Sequence, residues 1–181
     1  SKIKGAYNSE AILGFQYEIA PDFSMGARAI YRNLGRAIED ISMDGGYQYI
    51  VTNPDAWSDV WAPDPGHRYH ILGHDANGDP IYGDPYRWQF PKPIRIYKAV
   101  ELTVDKRFSN NCQLGGSYVL SRLTGNYEGL FSNDNGQLDP NITSKYDLPN
   151  LLVDAYGMLP NDRTHNLKLY GGYHFDFGLD V

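Results

Sequence analysis

The chain of 181 residues contains no apolar run approaching the 18 or so that a membrane-crossing helix requires, so a helical anchor is excluded. Cysteine is nearly absent. Cys112 stands alone, which rules out an intrachain disulfide and a thiolate zinc site and leaves the redox compartment open. Positive charge is also short: 16 Lys and Arg face 22 Asp and Glu, a net charge of −6. Without a basic footprint, no nucleic-acid partner is expected. Residues 1–20 lack the basic, apolar and small-residue stretches of a signal peptide, so none is expected in these 181 residues; if the protein is exported, its targeting sequence lies outside them or has been removed. Catalytic signatures are missing as well. Ser58 and Ser121 occupy no G-x-S-x-G elbow, Cys112 has no nearby histidine, and there is no P-loop or dinucleotide fingerprint. The chain is not expected to be an enzyme.

What the sequence does carry is tyrosine, turn residues and alternation. Its 15 Tyr outnumber the 7 Phe and 3 Trp together, an excess suited to surfaces that are half apolar and half wet. With 19 Gly and 11 Pro it reads as ordered and rich in turns. From Ala11 to Ile19 the odd positions Ala11, Leu13, Phe15, Tyr17 and Ile19 form one apolar face. Pro21-Asp22-Phe23 makes a short turn, after which Met25, Ala27, Ala29 and Tyr31 alternate with Gly26, Arg28, Ile30 and Arg32. A third strand is expected from Ile94 to Arg107. The turn Ser109-Asn110-Asn111-Cys112 leads to a fourth, Gln113 to about Tyr127, in which Gly115 and Gly116 mark a bulge or a close backbone approach. A fifth is expected from Thr164 to Phe177.

Two long segments, about 40–93 and 128–163, are dense in Asp, Asn, Gly and Pro and read as loops with short elements. Connections therefore alternate short, long, short, long. That asymmetry, with strands longer than the usual 5–6 residues, is the pattern of a bacterial outer-membrane barrel. Within lipid every backbone polar group needs a partner, so only helices and closed barrels span. The expected fold is all-β: an antiparallel transmembrane β-barrel segment of about five or six long strands, with short periplasmic turns and two long extracellular loops. On this reading Arg28, Arg32, Arg95, Glu101, Asp105, Lys168 and Asp176 point into the lumen. Tyr17, Tyr31 and Tyr173 sit near the lipid interface as girdle residues. Lys98, on the apolar face, belongs near the outer rim, where its stem can snorkel. The alternative is a soluble or surface β-sandwich that recognises glycans or peptides through aromatic loops; sandwich strands are usually shorter and their turns more frequent.

Three segments carry a family resemblance. Leu159, Pro160, Asn161, Asp162, Arg163, Thr164 and His165, followed by Lys168, Leu169, Tyr170 and Gly171 and then Phe177 and Gly178 at a turn, resemble a barrel strand of TonB-dependent outer-membrane receptors of the Oar-like group. Ser117 to Gly129 is similar to the preceding strand of that group and Val100 to Phe108 to the one before, in the same order. The match covers about residues 94–181, and the hairpin Ala11–Tyr31 fits it less specifically. Such receptors imply an N-terminal regulatory-like domain, a plug with a TonB-contacting box and a barrel of 22 strands. Residues 1–181 are therefore expected to be a partial barrel domain, an internal fragment without plug or N-terminal domain. The resemblance implies the outer membrane of a Gram-negative bacterium, contact with outer-membrane lipid, the TonB system acting through the missing plug, and uptake of a large solute.

The first long loop holds the other candidates. Trp57, Trp61, Tyr69, Tyr82, Tyr86 and Trp88 beside acids suit stacking on a sugar or gripping a peptide, or else self-packing within the loop. His67, His70 and His74 with Asp75 have spacings that hold zinc or copper only on a short helix. Asp75, Asn77 and Asp79 resemble the start of a calcium loop. Pro80 replaces its glycine, however, and Tyr86 stands where a bidentate glutamate belongs. A looser calcium site on Asp75, Asp79 and Asp84, or on Asp134 and Asp139 in the second long loop, stays open beside plain Asx-turns. No cofactor beyond such a calcium ion is expected. Asn141-Ile142-Thr143 reads as a turn rather than a glycosylation site.

Overall fold

The computed structural model describes residues 3–42, 49–54, 69–74, 76–78, 80–85, 90–131, 139, 142–147 and 149–181, with no helix long and apolar enough to cross a membrane among them. They fall into two compact units.

The first unit to consider comprises residues 8–34, 95–125 and 158–181. Its sheet is built from β1 (Tyr7–Ala20), β2 (Phe23–Arg36), β7 (Arg95–Ser109), β8 (Cys112–Gly125) and β10 (His165–Tyr173), in the order β1-β2-β7-β8-β10. A two-residue strand, β9 (Gly157–Met158), also pairs with β8. The pairings of β2 with β7, β7 with β8 and β8 with β10 are antiparallel. The long antiparallel strands thus appear where alternation placed them. β1 and β10 end the path and do not pair with each other, so the sheet is open among the described residues.

The turns follow from their residues. Asp22 takes a φ of 64°, and Asn110 and Asn111 take 50° and 61°, the two left-handed positions of a two-residue hairpin turn, which asparagine tolerates. The fifth strand is shorter than its alternation suggests. It stops at Tyr173 because Gly178, at φ 90°, turns the chain: the Gly178 amide donates to the Phe175 carbonyl, and Tyr173 and Val181 then exchange two backbone hydrogen bonds. Gly115 and Gly116 mark close approach, not a bulge, for the β7–β8 register runs unbroken from Arg95 opposite Gly125 to Lys106 opposite Leu114. Tyr170 lies directly across from Gly115 with its ring where a Cβ would stand.

The second unit comprises residues 1–7, 35–94 and 126–157. The long segments carry β-hairpins: β3 (Glu39–Ser42) with β4 (Tyr49–Thr52), and β5 (Tyr69–His74) with β6 (Pro80–Pro85). Two short 3-10 helices follow, Ser144–Tyr146 and Pro149–Leu152. The buried apolar residues include Ala37, Ile41, Phe90, Tyr127, Tyr146 and Leu152. Tyr146 is the centre of this core. Its ring stacks on Phe90 with centroids 6.4 Å apart and meets Tyr127 edge-on at 5.7 Å. Two buried asparagines tie irregular chain to it. Asn53 donates to the carbonyls of Lys4 and Ala37, both at 2.8 Å, and accepts from the Lys4 amide at 2.7 Å. Asn126 accepts from the Ile94 amide at 2.6 Å and donates to the Lys92 carbonyl at 3.1 Å. Such bonds let non-repetitive backbone be buried without stranded polar groups.

Candidate functional site

Because directly opposed residues share a face, the registers divide the sheet into two chemically different surfaces. On one, Arg28 lies opposite Glu101 and pairs with it, and Arg32 pairs with Glu10. Gln16 donates to Ser24 at 3.0 Å, and Arg32 also sits over the Tyr97 ring at 5.8 Å. Ser24 faces Asp105, Gly26 faces Thr103, and Thr103 in turn faces Ser117, which faces Lys168. Arg28, Arg32, Arg95, Glu101, Asp105 and Lys168 therefore share one face. Asp176 does not lie on a strand. It sits in the turn after β10, where its carboxylate accepts from the Asn111 amide group at 2.9 Å. These pairs are largely solvent-exposed, so each contributes only about 0–1 kcal/mol to stability. Their chief effect is to order charge along the surface.

A depression of about 350 Å³ opens on this face between Gly14, Gln16, Gly26, Arg28, Glu101 and Thr103. The glycines make it. A Cβ on Gly14 would stand 2.7 Å from the Arg28 Cβ and 3.0 Å from the Ala27 carbonyl oxygen, and one on Gly26 would stand 2.7 Å from the Thr103 hydroxyl. A Gly14→Val substitution is expected to lower stability by about 1–3 kcal/mol through overpacking. Gly5→Val, with nothing within 4 Å of its added Cβ, is the neutral control. Denaturant titration of the detergent-solubilised protein reads both, and equal midpoints for the two variants would refute the close-approach account.

The opposite face is apolar. Its rows read Met25, Val104, Gly116, Leu169; then Ala27, Leu102, Tyr118, Leu167; then Ala29, Val100, Leu120, His165. These residues are not covered: Leu102 is 48% exposed, Leu167 64% and Leu169 68%, and on β1 Leu13 and Phe15 reach 81% and 72%. Tyr17, Tyr31 and Tyr173 are exposed as well.

The chain is 33% identical over 174 residues to the TonB-dependent transporter Oar of Myxococcus xanthus, an alignment covering 96% of the chain. The chain is a relative of a TonB-dependent transporter. It spans 14% of that transporter's length. No family model and no solved structure matches it. The relationship of this Oar relative is to a transporter, not to an enzyme.

Of the loop candidates in the Oar relative, Trp57, Trp61, Tyr86 and Trp88 lie outside the described residues, as do His67, Asp75, Asp79 and Asp134, while Tyr69 and Tyr82 lie on strands β5 and β6. His70 and His74 are not on the short helix that the metal reading requires. They stand on the extended backbone of β5, because a hairpin through Gly78, at φ 87°, forms in preference to a helix. Asp84 lies on β6, and Asp139 is exposed. Among the described residues no group of three or more His, Cys, Asp or Glu is placed to hold a metal.

One group was not visible in the sequence. Glu39, with 0% of its surface exposed, has its carboxyl pushed up to about 7 by burial, against the opposing pull of the Thr143 amide, which donates to Oε1 at 2.6 Å, and of the Tyr127 and Thr143 hydroxyls. Asp40 next to it is also raised, by burial and then by the negative charge of Asp147. In sequence, Glu39-Asp40 looks like ordinary solvated acid. Its partners Tyr127 and Thr143 are distant in sequence and meet it only in the fold.

Proposed function

We propose that these residues form part of the wall of an outer-membrane β-barrel in a TonB-dependent receptor that takes up a large solute. The single observation that carries this reading is the exposed apolar face, whose Leu13, Phe15, Leu167 and Leu169 would be the core of a soluble sandwich. Strand length agrees. At about 3.3 Å per residue and a tilt of about 45°, the 14 residues of β2 or β8 project over about 33 Å, enough to cross a hydrocarbon core of about 30 Å. The apolar face meets lipid, and Arg28, Arg32, Arg95, Glu101, Asp105 and Lys168 line the lumen, with Asp176 at its short-turn end. The two short turns face the periplasm and the long connections face outward in a Gram-negative cell. Trp57, Trp61, Tyr69, Tyr82, Tyr86 and Trp88 on those connections contact the solute, and the energy arrives through TonB acting on a plug elsewhere in the receptor. The protein has no catalytic role.

Expressing the chain in detergent-free buffer tests this. Recovery only with detergent is expected, since the apolar face and the open edges drive aggregation in water. A soluble monomer that melts cooperatively would overturn the barrel and favour the sandwich.

A further inference from the structure

Near its long-connection end the apolar face carries two cations. Beyond the Ala29, Val100, Leu120 row, the register places Tyr31 opposite Lys98 and Lys98 opposite Arg122, all three at the long-connection end of the sheet. Like charges directly opposed across an antiparallel pair repel, and although a cation near the interface can snorkel at little cost, this mutual repulsion is relieved only by an anion. No carboxylate stands on this face of the five long strands. Off this face, Asp162 is an acid that Arg122 reaches electrostatically. Its carboxyl is lowered first by the Thr164 hydroxyl, from which it accepts at 2.7 Å, then by the Leu123 amide at 2.5 Å, and only last by Arg122. Lys98 and Arg122 are both exposed and make no ion pair among the described residues. At the opposite end of the same face Lys106 behaves differently. Its ammonium donates to the Ser109 carbonyl at 2.8 Å, the Ser109 hydroxyl at 3.1 Å and the Cys112 carbonyl at 3.0 Å, so the turn consumes its hydrogen-bonding capacity.

Lys98 and Arg122 line an open depression of about 500 Å³ together with Ala29, Val100, Leu120 and Thr164. Its small lining residue Ala29 lies opposite Val100, and the next pair along the face is Ala27 opposite Leu102. We infer that this is a site for one lipid carrying a phosphate headgroup. The phosphate bridges Lys98 and Arg122, relieving their mutual repulsion, and an acyl chain runs down the small-residue lane toward Leu102. A guanidinium and an ammonium at the rim match a phosphate's charge and acceptors, while Tyr31 suits the same interfacial depth.

The inference rests on the barrel reading, and the test separates the two. The receptor carrying this chain is reconstituted into phosphatidylcholine nanodiscs containing a minor fraction of phosphatidic acid, and the phosphatidic acid retained after detergent washing is counted by mass spectrometry. Wild type is expected to retain it, and Lys98→Gln with Arg122→Gln to bind it roughly 30-fold more weakly, the worth of two interfacial cations. The charge-preserving pair Lys98→Arg with Arg122→Lys keeps it, as does Arg107→Gln on the opposite face, which removes a cation outside the site. Inorganic phosphate at the lipid's concentration is expected not to displace it. Retention unchanged in the double glutamine variant, equal loss in Arg107→Gln, or displacement by inorganic phosphate would each overturn the lipid site and leave the barrel standing. A receptor that stays in aqueous buffer and never enters nanodiscs overturns the barrel itself.

Discussion

An arginine at Leu102 is expected to cost the receptor about 2–4 kcal/mol of folding stability in phosphatidylcholine vesicles, whereas an arginine at Val119 costs less than about 1 kcal/mol. Leu102 is the central residue of β7 and lies on the apolar face, flanked in register by Ala27 and Tyr118. Val119 is on the neighbouring strand but points the other way, directly opposite Glu101, where a new guanidinium finds a carboxylate and water. Guanidinium titrations of refolding into vesicles read both values. If lipid does not cover this face, Leu102 is already half in water and its replacement is nearly neutral. Equal, small effects at the two positions would therefore remove the membrane from the account.

The second large effect is one of acidity. Glu39 is fully buried and its carboxyl is raised from 4.5 to about 7, so between those values the folded protein holds a proton that the unfolded chain releases. Its contribution is thus complete below about pH 4.5 and is lost as pH rises through 7. At about 1.4 kcal/mol for each unit, the loss amounts to roughly 3 kcal/mol by pH 8 or 9. Glu39→Gln keeps an acceptor for the Thr143 amide and removes the charge. The variant is expected to match wild type at pH 4.5 and to exceed it by roughly 3 kcal/mol at pH 8 to 9. Hydrogen exchange of the Thr143 amide, which falls within this unit, follows the change. Wild-type protection that does not weaken with pH relative to the variant, after correction for intrinsic exchange, would show that Glu39 is ionised without penalty.

Alternation was readable because each long strand keeps one face wet: Glu101, Thr103 and Asp105 against Val100, Leu102 and Val104 suffice to locate β7 and its two sides. Turn chemistry was readable for the same local reason, since Asn110-Asn111 accepts left-handed backbone. Pairing partners were not. That Arg28 meets Glu101 depends on a register set across 73 residues, and no local pattern encodes it. The cation row was half legible: Lys98 breaks the apolar face visibly, but Arg122 joins it only once β8 is laid beside β7. The long connections were least legible. Their hairpins obey no clean period, and their core rests on Tyr146, a tyrosine indistinguishable in sequence from the fourteen others.

The order of the strands also ranks the costs of their joints. β1 with β2, and β7 with β8, are neighbours in sequence joined by two-residue turns at Pro21-Asp22 and Asn110-Asn111, and such hairpins close in about 1–10 μs. The seam between β2 and β7 is different. It forms only after the whole connection from residue 37 to residue 94 has been looped out, an entropic cost that the hairpins do not meet. The Arg28–Glu101 pair thus stands on the seam whose closure loops out the longer stretch of chain, which makes it a costlier joint than either hairpin.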